Sequence, residues 1–500
     1  MAPEDVPTET PACLVQPDPR EIYFSKSFGE YFGKPLPIEA TNRTNTTMPD
    51  AIEHVIVLMF ENRSFDQVLG CYQALRGGVD GVDLQNLRKV PSMDKGITFR
   101  QAASKARTIN PGPSHESRNV QAQLHLPPRE RNRGFVIDYQ LANHVVTKPQ
   151  VQEIMNYYDP GDLPAMHGLA DSFTICDHWY ASVPGPTWTN RFFVHSGTSL
   201  GLVHMPTGLS LPWDTYVQTT AYDQLNAAGV PWRIYYGDFP QSLLLVHQHE
   251  NRNLKRYRPL EELYTDFADE GAKFPNYVFI EPHYFPLTGQ NDYHPPSNVL
   301  NGEALLARVY NALRQSPIWE RSLLIVTFDE HGGFYDHIYP PDAEPPDEHQ
   351  DEYNFNQYGL RVPTILVSPL IPPGVDNTVY DHTSILAYLT KKYGLGSLGA
   401  RVAHAKTFDT AIGTTPRTDT PVQITSKGSK LTKDVGDPSQ ARPDVTQAAA
   451  VTYTVYLEDG PLTTEDERRV RMMLQQQGTD AQFVAAMNRV RSYLDKAQLT

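Results

Sequence analysis

Cysteine is scarce in this chain: Cys13, Cys71 and Cys176 are the three among 500 residues. So odd and sparse a set builds no disulfide framework, although a single bridge stays open. No Cys/His group has zinc-finger spacing, which excludes that class of structural site. Positive charge is also short, with 43 Lys and Arg against 58 Asp and Glu and a formal net charge of −15. Nucleic-acid binders hold the phosphate backbone mainly with Lys and Arg, so no nucleic-acid partner is expected. Phosphate chemistry is not excluded, because a bound cation can supply positive charge locally. No apolar run approaches the ~20 residues of a membrane-spanning helix. The first residues, Met1-Ala2-Pro3-Glu4, lack the basic and apolar regions of a signal peptide. The expected compartment is therefore the cytoplasm, or the exterior with a removed signal. Asn42 and Asn45 open glycosylation sequons, which arise often by chance. No internal repeat is evident.

What the chain does have is length, 42 Pro and 27 Tyr, which suit long ordered loops on one large rigid domain. Residues 1–50 are Pro- and Thr-rich and read as an arm around the domain. Residues 51–409 alternate strand and helix patterns, which predicts an α/β sandwich with a mainly parallel sheet. Residues 410–450 shift to Thr, Pro, Ser, Lys and Asp, a linker or peripheral loop. Residues 451–500 read as a C-terminal helical segment, with capping-box spacing at Thr464 and Glu467 and an apolar face at Val470, Met473 and Leu474.

Two stretches share one grammar. Leu323–Phe328 is a β-rich apolar run that ends in Asp329-Glu330-His331-Gly332-Gly333, and Ile52–Phe60 is another that ends in Glu61-Asn62-Arg63-Ser64. Such runs read as buried parallel strands. Open α/β sheets bind ligands just past the carboxyl ends of such strands. Adjacent carboxylates near a core are costly unless a positive charge lies between them. Glu61, Asn62, Asp329 and Glu330 are hard oxygen donors that suit a divalent cation, provided the sheet brings them together.

Further strands are expected over 170–177, 231–236, 276–281 and 361–368. Helices are expected from Ser64, within 134–170, over 192–199, 222–228, 299–315 and 385–391. Val183-Pro184-Gly185-Pro186 is a rigid turn that presents Thr187, with Thr189 second, as a hydroxyl nucleophile needing a base or metal. An ordinary N-cap hydroxyl is the alternative for Thr187. His115 and His294 sit in Pro-flanked loops where a His can contact phosphoryl oxygens or protonate a leaving alkoxide. Arg191 suits a phosphate or an acid partner. His331 and His337 are support or surface residues, and Asp381-His382 reads as a helix cap rather than a ligand pair.

Together, Glu61-Asn62-Arg63-Ser64-Phe65-Asp66, Val183–Thr187 with Asn190-Arg191, Phe279–Pro282 with His294-Pro295-Pro296, and Asp329–His337 resemble the phosphoesterase family. That family contains non-specific phospholipases C and a group of acid phosphatases. The resemblance implies an alkaline-phosphatase-like, three-layer αβα sandwich, a divalent metal ion (Ca, Mg, Mn or Zn) and a covalent phospho-enzyme. By motif, Glu61 and Asn62 match one metal pair and Asp329 and Glu330 the other. Thr187 matches the nucleophile, also touching the metal, and His115 and His294 match phosphate-contacting histidines. Family members commonly carry Pro where this chain has Thr189, which leaves two threonines near one turn. The implied activity is metal-dependent phospholipase C hydrolysis of glycerophospholipids to diacylglycerol and a phosphorylated head group through phospho-threonine. An acid phosphatase for small phosphomonoesters is one rival, and a non-catalytic binding protein on the same fold another. The implied partners are a phospholipid or small phosphoester and, transiently, a membrane surface.

Overall fold

The computed structural model describes residues 50–126, 130–205, 215–285, 289–350, 353–427 and 480–499, together with Thr454. Its strands of three or more residues, in chain order, are β1 (His54–Phe60), β2 (Lys89–Pro91), β3 (Thr98–Arg100), β4 (Thr174–Cys176), β5 (Trp232–Tyr236), β6 (Tyr257–Pro259), β7 (Tyr277–Glu281), β8 (Ser322–Phe328), β9 (Ile365–Val367) and β10 (Gly374–Asp376). Eight of them form one sheet in the order β6-β5-β7-β1-β8-β9-β4-β10. All neighbours run parallel except β9, which is antiparallel to both β8 and β4. Every residue of β1 and β8 is buried, as expected for central strands covered on both faces.

The helices that position the site are α1 (Phe65–Val68), α2 (Ser117–Leu124), α3 (Phe135–Ala142), α4 (Pro164–Ser172), α5 (Thr187–Ser196), α6 (Ala221–Ala228), α7 (Val299–Gln315), α8 (Thr383–Tyr393) and α9 (Asp480–Leu499). Helix α7 packs on α4, while α8 packs on α5 and α6, and the two groups make the outer layers of an αβα sandwich. Helix α9 turns Val490 and Leu494 into the core, and Gln498 Nε2 donates to the Tyr257 carbonyl at 2.8 Å, so α9 lies along β6.

Several boundaries differ from expectation. The helix expected over 192–199 begins at Thr187; Thr, Trp, Thr and Asn are weak helix formers, and packing overrides their preference. The helix after Ser64 has only four residues. The span 134–170 is three helices, Phe135–Ala142, Lys148–Glu153 and Pro164–Ser172. The strand expected over 361–368 is cut to Ile365–Val367. Cys71 and Cys176 are free and buried. Cys13, the sequons, the arm and the Thr464–Leu474 pattern lie outside the described residues. No helix among those described is long and apolar enough to cross a membrane.

A buried ionic network fastens the loop after β8 to the sheet. Arg361 Nε donates to Asp336 Oδ1 and Nη2 to Asp66 Oδ1, both at 2.9 Å. His337 lies with Nδ1 2.9 Å from Asp66 and Nε2 3.0 Å from Asp80. Among the described residues, Asp66, Asp336 and His337 are grouped tightly enough to hold a metal ion, but Arg361 already pairs both carboxylates there. Burial opposes the charge on His337, yet the Asp66 carboxylate and the hydrogen bonds to Asp66 and Asp80 outweigh it and lift the imidazole to about 10. A His raised in the fold adds stability that is complete below its unfolded value and is lost as pH rises through its folded one. His337→Gln is therefore expected to be most destabilising below about pH 6.5, with the gap to wild type closing as pH approaches about 10. Urea unfolding across that range checks this; a gap independent of pH defeats it.

Candidate active site

Register decides where the polar residues emerge. Strands β1 and β8 pair one to one up to Phe60 and Phe328. The next residues, Glu61-Asn62 and Asp329-Glu330, therefore leave the sheet side by side, about one strand spacing apart. Asn62 N–H donates to Asp329 Oδ1 at 3.0 Å, and Arg63 N–H donates to the Glu330 carbonyl at 3.0 Å. Asn62 sits at φ +61°, a left-handed conformation that Asn tolerates better than most residues. Gly332, at φ +66°, passes so close that an added Cβ would stand 2.3 Å from the Asn62 carbonyl oxygen.

The turn before α5 is fixed by Asn190. Its side-chain oxygen accepts from Val183 N–H at 3.1 Å, and its Nδ2 donates to the Gly185 carbonyl at 2.9 Å. The N-cap is Pro186, so no side chain caps the first turn, and its N–H groups remain suited to an anion. Thr187 opens the helix with its hydroxyl donating to Asn62 Oδ1 at 3.2 Å. Thr189 is fully buried and its hydroxyl has no hydrogen-bond partner among the described residues. Of the two threonines, Thr187 meets the Glu61-Asn62 pair.

Arg191, one turn further along α5, reaches between the acids. Its Nη2 lies 3.2 Å from Glu61 Oε1 and its Nε 3.5 Å from Asp329 Oδ2. Gln241 Nε2 also donates to Glu61 Oε1, at 2.8 Å. Gln241 is held in turn by Glu281, which accepts its N–H at 2.7 Å. Glu281 accepts further bonds from Ser242 and Tyr284, so this strand-end acid is satisfied by protein alone. Burial pushes the Glu61 carboxyl well up despite Arg191, with Asp329 and Asp292 adding to the rise. Burial likewise raises Glu330, with His115 opposing and Asp329 reinforcing.

His115 is shared between the two pairs. Its Nε2 is 3.1 Å from Asn62 Nδ2 and 3.9 Å from Glu330 Oε1, and its Nδ1 is 3.2 Å from the Pro113 carbonyl. That network places the proton on Nδ1. The His294 ring stands edge-on to His115 with centroids 5.9 Å apart. The structure thus brings together Glu61, Asn62, Thr187, Asp329, Glu330, His115 and His294. His331 is buried against Gln123 at 2.8 Å, and burial lowers its imidazole to about 3. His382 stands at the N-cap of α8 as expected of the Asp381-His382 pair, but its side chain makes no capping bond. Its Nε2 instead lies 2.6 Å from the Asp329 carbonyl and braces that residue. Sequence reasoning missed Gln241, for which no motif signals, and passed over Asp292. Asp292 accepts the His294 N–H at 2.9 Å, and its place two residues before that His was the available clue.

The donor set fits a hard cation. Asp329 Oδ2 and Glu330 Oε1 are buried without a hydrogen-bond partner among the described residues, an expensive state for carboxylate oxygens. Every expected ligand offers oxygen, which suits a divalent ion. The three carboxylates are not drawn as close together as the Asp66 grouping, in keeping with like charges that have only Arg191 between them.

A sequence model of the phosphoesterase family matches residues 52–396. The chain belongs to the phosphoesterase family. It is a phosphoric ester hydrolase. Non-specific phospholipase C3 of Arabidopsis thaliana is 31% identical over 87% of this chain and 88% of its own length. Non-specific phospholipase C6 of the same plant is 34% identical over 80% of each chain. The non-hemolytic phospholipase C of Pseudomonas aeruginosa is 27% identical over 69% of this chain but only 54% of its own. A solved protein of the alkaline phosphatase superfamily from Vibrio parahaemolyticus is a distant likeness, 13% identical over 50% of this chain and 65% of that one at a TM-score of 0.30.

Because Gly332 touches the Asn62 backbone, Gly332→Ala is expected to cost about 2 kcal/mol or more through a strained φ and a backbone clash. The urea midpoint measures this, and a variant as stable as wild type would contradict the packing.

Proposed function

We propose that this phosphoesterase is a metal-dependent phospholipase C that cleaves glycerophospholipids to diacylglycerol and a phosphorylated head group through a phospho-threonine intermediate. The observation that carries this reading is the pair of buried carboxylate oxygens, Asp329 Oδ2 and Glu330 Oε1, that accept no hydrogen bond among the described residues, beside a threonine hydroxyl held on Asn62. Glu61, Asn62, Asp329 and Glu330, with Thr187, would hold the ion. Once bound, such an ion supplies positive charge that lowers the pKa of a hydroxyl and polarises a phosphoryl oxygen.

The protein's own residues do the rest. Asn62 orients the Thr187 hydroxyl, and Asn190 fixes the turn beneath it, so attack starts from a preorganised position. The Thr187 oxygen forms a bond to phosphorus as the bond to the diacylglycerol oxygen breaks. The departing alkoxide takes a proton from a protonated His115 or His294. Arg191 and the first-turn N–H groups of α5 stabilise charge on the phosphoryl oxygens. Water then breaks the phospho-threonine bond and frees the phosphorylated head group. The phospholipase names of the relatives favour lipid over a small phosphomonoester as substrate.

Thr187→Ala is expected to lower turnover of detergent-dispersed phosphatidylcholine by roughly a thousandfold or more, with circular dichroism and the urea midpoint unchanged. Thr189→Ala should retain activity. Intact-mass spectrometry of wild type quenched during turnover of phosphatidylcholine should find one phosphocholine adduct, absent from Thr187→Ala; near-native activity in that variant defeats the assignment. Dialysis against a chelator should abolish turnover, and one of Ca, Mg, Mn or Zn should restore it. Asp329→Ala should bind that ion more weakly by calorimetry, and unchanged affinity would remove Asp329 from the ligand set.

A further inference from the structure

The charge of this chain is divided unevenly. Between Arg88 and Glu153 there are eleven Lys and Arg against five Asp and Glu, an excess of six positive charges in a chain with a net charge of −15. This stretch carries His115. It also forms its own apolar cluster around Val90, Phe99, Leu124, Phe135 and Val151, which packs on Phe334 and Tyr335 of the loop after β8.

The exposed side of this stretch is unusual in two ways. In the β2–β3 hairpin, Lys89 stands directly opposite Arg100. Both are exposed, and neither has an ion pair among the described residues. Like charges placed directly across a hairpin repel and destabilise it. Lys95 at the hairpin tip and Lys148 beyond α3 are also exposed without an ion pair among those residues. The tip carries one acid, Asp94. Beside these cations, large apolar side chains stand in water: Met93 is 53% exposed, Leu141 53% and Val145 93%. They belong to one region, because Met93 N–H donates to Gln140 Oε1 at 3.0 Å. Leu141 follows Gln140 on α3, and Val145 lies just beyond the end of that helix.

Helix α3 links this region to the site. At its start Phe135 packs edge-on against His331 and Tyr335, and its Tyr139 hydroxyl donates to the Pro111 carbonyl in the His115 loop at 2.9 Å. At its far end lies the exposed Leu141.

We propose that the β2–β3 hairpin and the Leu141–Lys148 segment form a docking surface for an anionic phospholipid bilayer. Met93, Leu141 and Val145 enter the interface, while Lys89, Lys95, Arg100 and Lys148 face acidic head groups. Charge complementarity selects this occupant: a negatively charged surface relieves the Lys89–Arg100 repulsion and takes up cations that have no ion pair among the described residues. The inference rests on the phospholipase reading, since an enzyme whose substrate lies in a membrane must meet that membrane.

Cosedimentation of the full chain tests it, with vesicles of phosphatidylcholine alone and of phosphatidylcholine and phosphatidylserine in equal parts. Wild type should prefer the anionic vesicles, and added salt should weaken binding. Each cation near such a surface is worth about fivefold in partition, so Lys89→Ser with Arg100→Ser should lose roughly twentyfold on anionic vesicles only. Met93→Asp, Leu141→Asp and Val145→Asp together should lose at least about a hundredfold. Both variants should keep wild-type turnover of a soluble aryl phosphodiester, which also shows that they are folded. Wild type that stays in the supernatant, or variants that sediment like it, overturn the docking surface. Diacylglycerol release from detergent-dispersed phosphatidylcholine needs no docking, so failure there counts against the phospholipase reading, whereas the docking result is read from sedimentation.

Discussion

The site depends on carboxylates forced to be neighbours. Because β1 and β8 run parallel and in step to Phe60 and Phe328, Glu61 and Asp329 have no freedom to part as they leave the sheet. Both are buried, and water cannot screen their repulsion. One guanidinium, that of Arg191, lies against both, and hydrogen bonds to Asn62 N–H and Gln241 take up part of the remaining charge. Two carboxylate oxygens still accept no hydrogen bond among the described residues. Sheet register thus creates an electrostatic debt that those residues do not settle.

Much of this was legible in the chain because long β-branched runs are read easily. The seven-residue strands β1 and β8 end where the apolar pattern ends, and the residues after them meet as the sheet grammar requires. The rigid Val183–Pro186 turn also does what its prolines suggest, delivering Thr187 to Asn62. The start of α5 was not legible, since tertiary packing makes a helix of residues with weak intrinsic preference. The strand at β9 was legible, but its short length and antiparallel sense were not, because an apolar run carries no mark of direction. The Arg361 network was hidden for another reason: it joins Asp66, Asp80, Asp336 and His337 across long stretches of chain, and no local spacing marks such a cluster. Gln241 was hidden likewise, being a neutral residue that matters only because Glu281 fixes its backbone beneath Glu61.

Rigidity around the site comes from backbone contacts as much as from side chains. Gly332 lies against the Asn62 carbonyl, and Gly333 comes nearly as close to that of Ser114. The loop after β8 therefore touches both the loop after β1 and the one presenting His115. Arg361 and His337 anchor the far end of the same loop. A shift in any one of these three loops would move the other two.

A sheet of this size has two borders, and an unguarded border offers unpaired N–H and carbonyl groups to any passing strand. Here one border is β10, three residues long, too short to template much. Along the other, β6 has α9 laid beside it, and Gln498 takes the Tyr257 carbonyl directly. Trimming the chain before Asp480 would unmask that border, so the last helix works as a guard against self-association of the sheet as well as a contributor to the core.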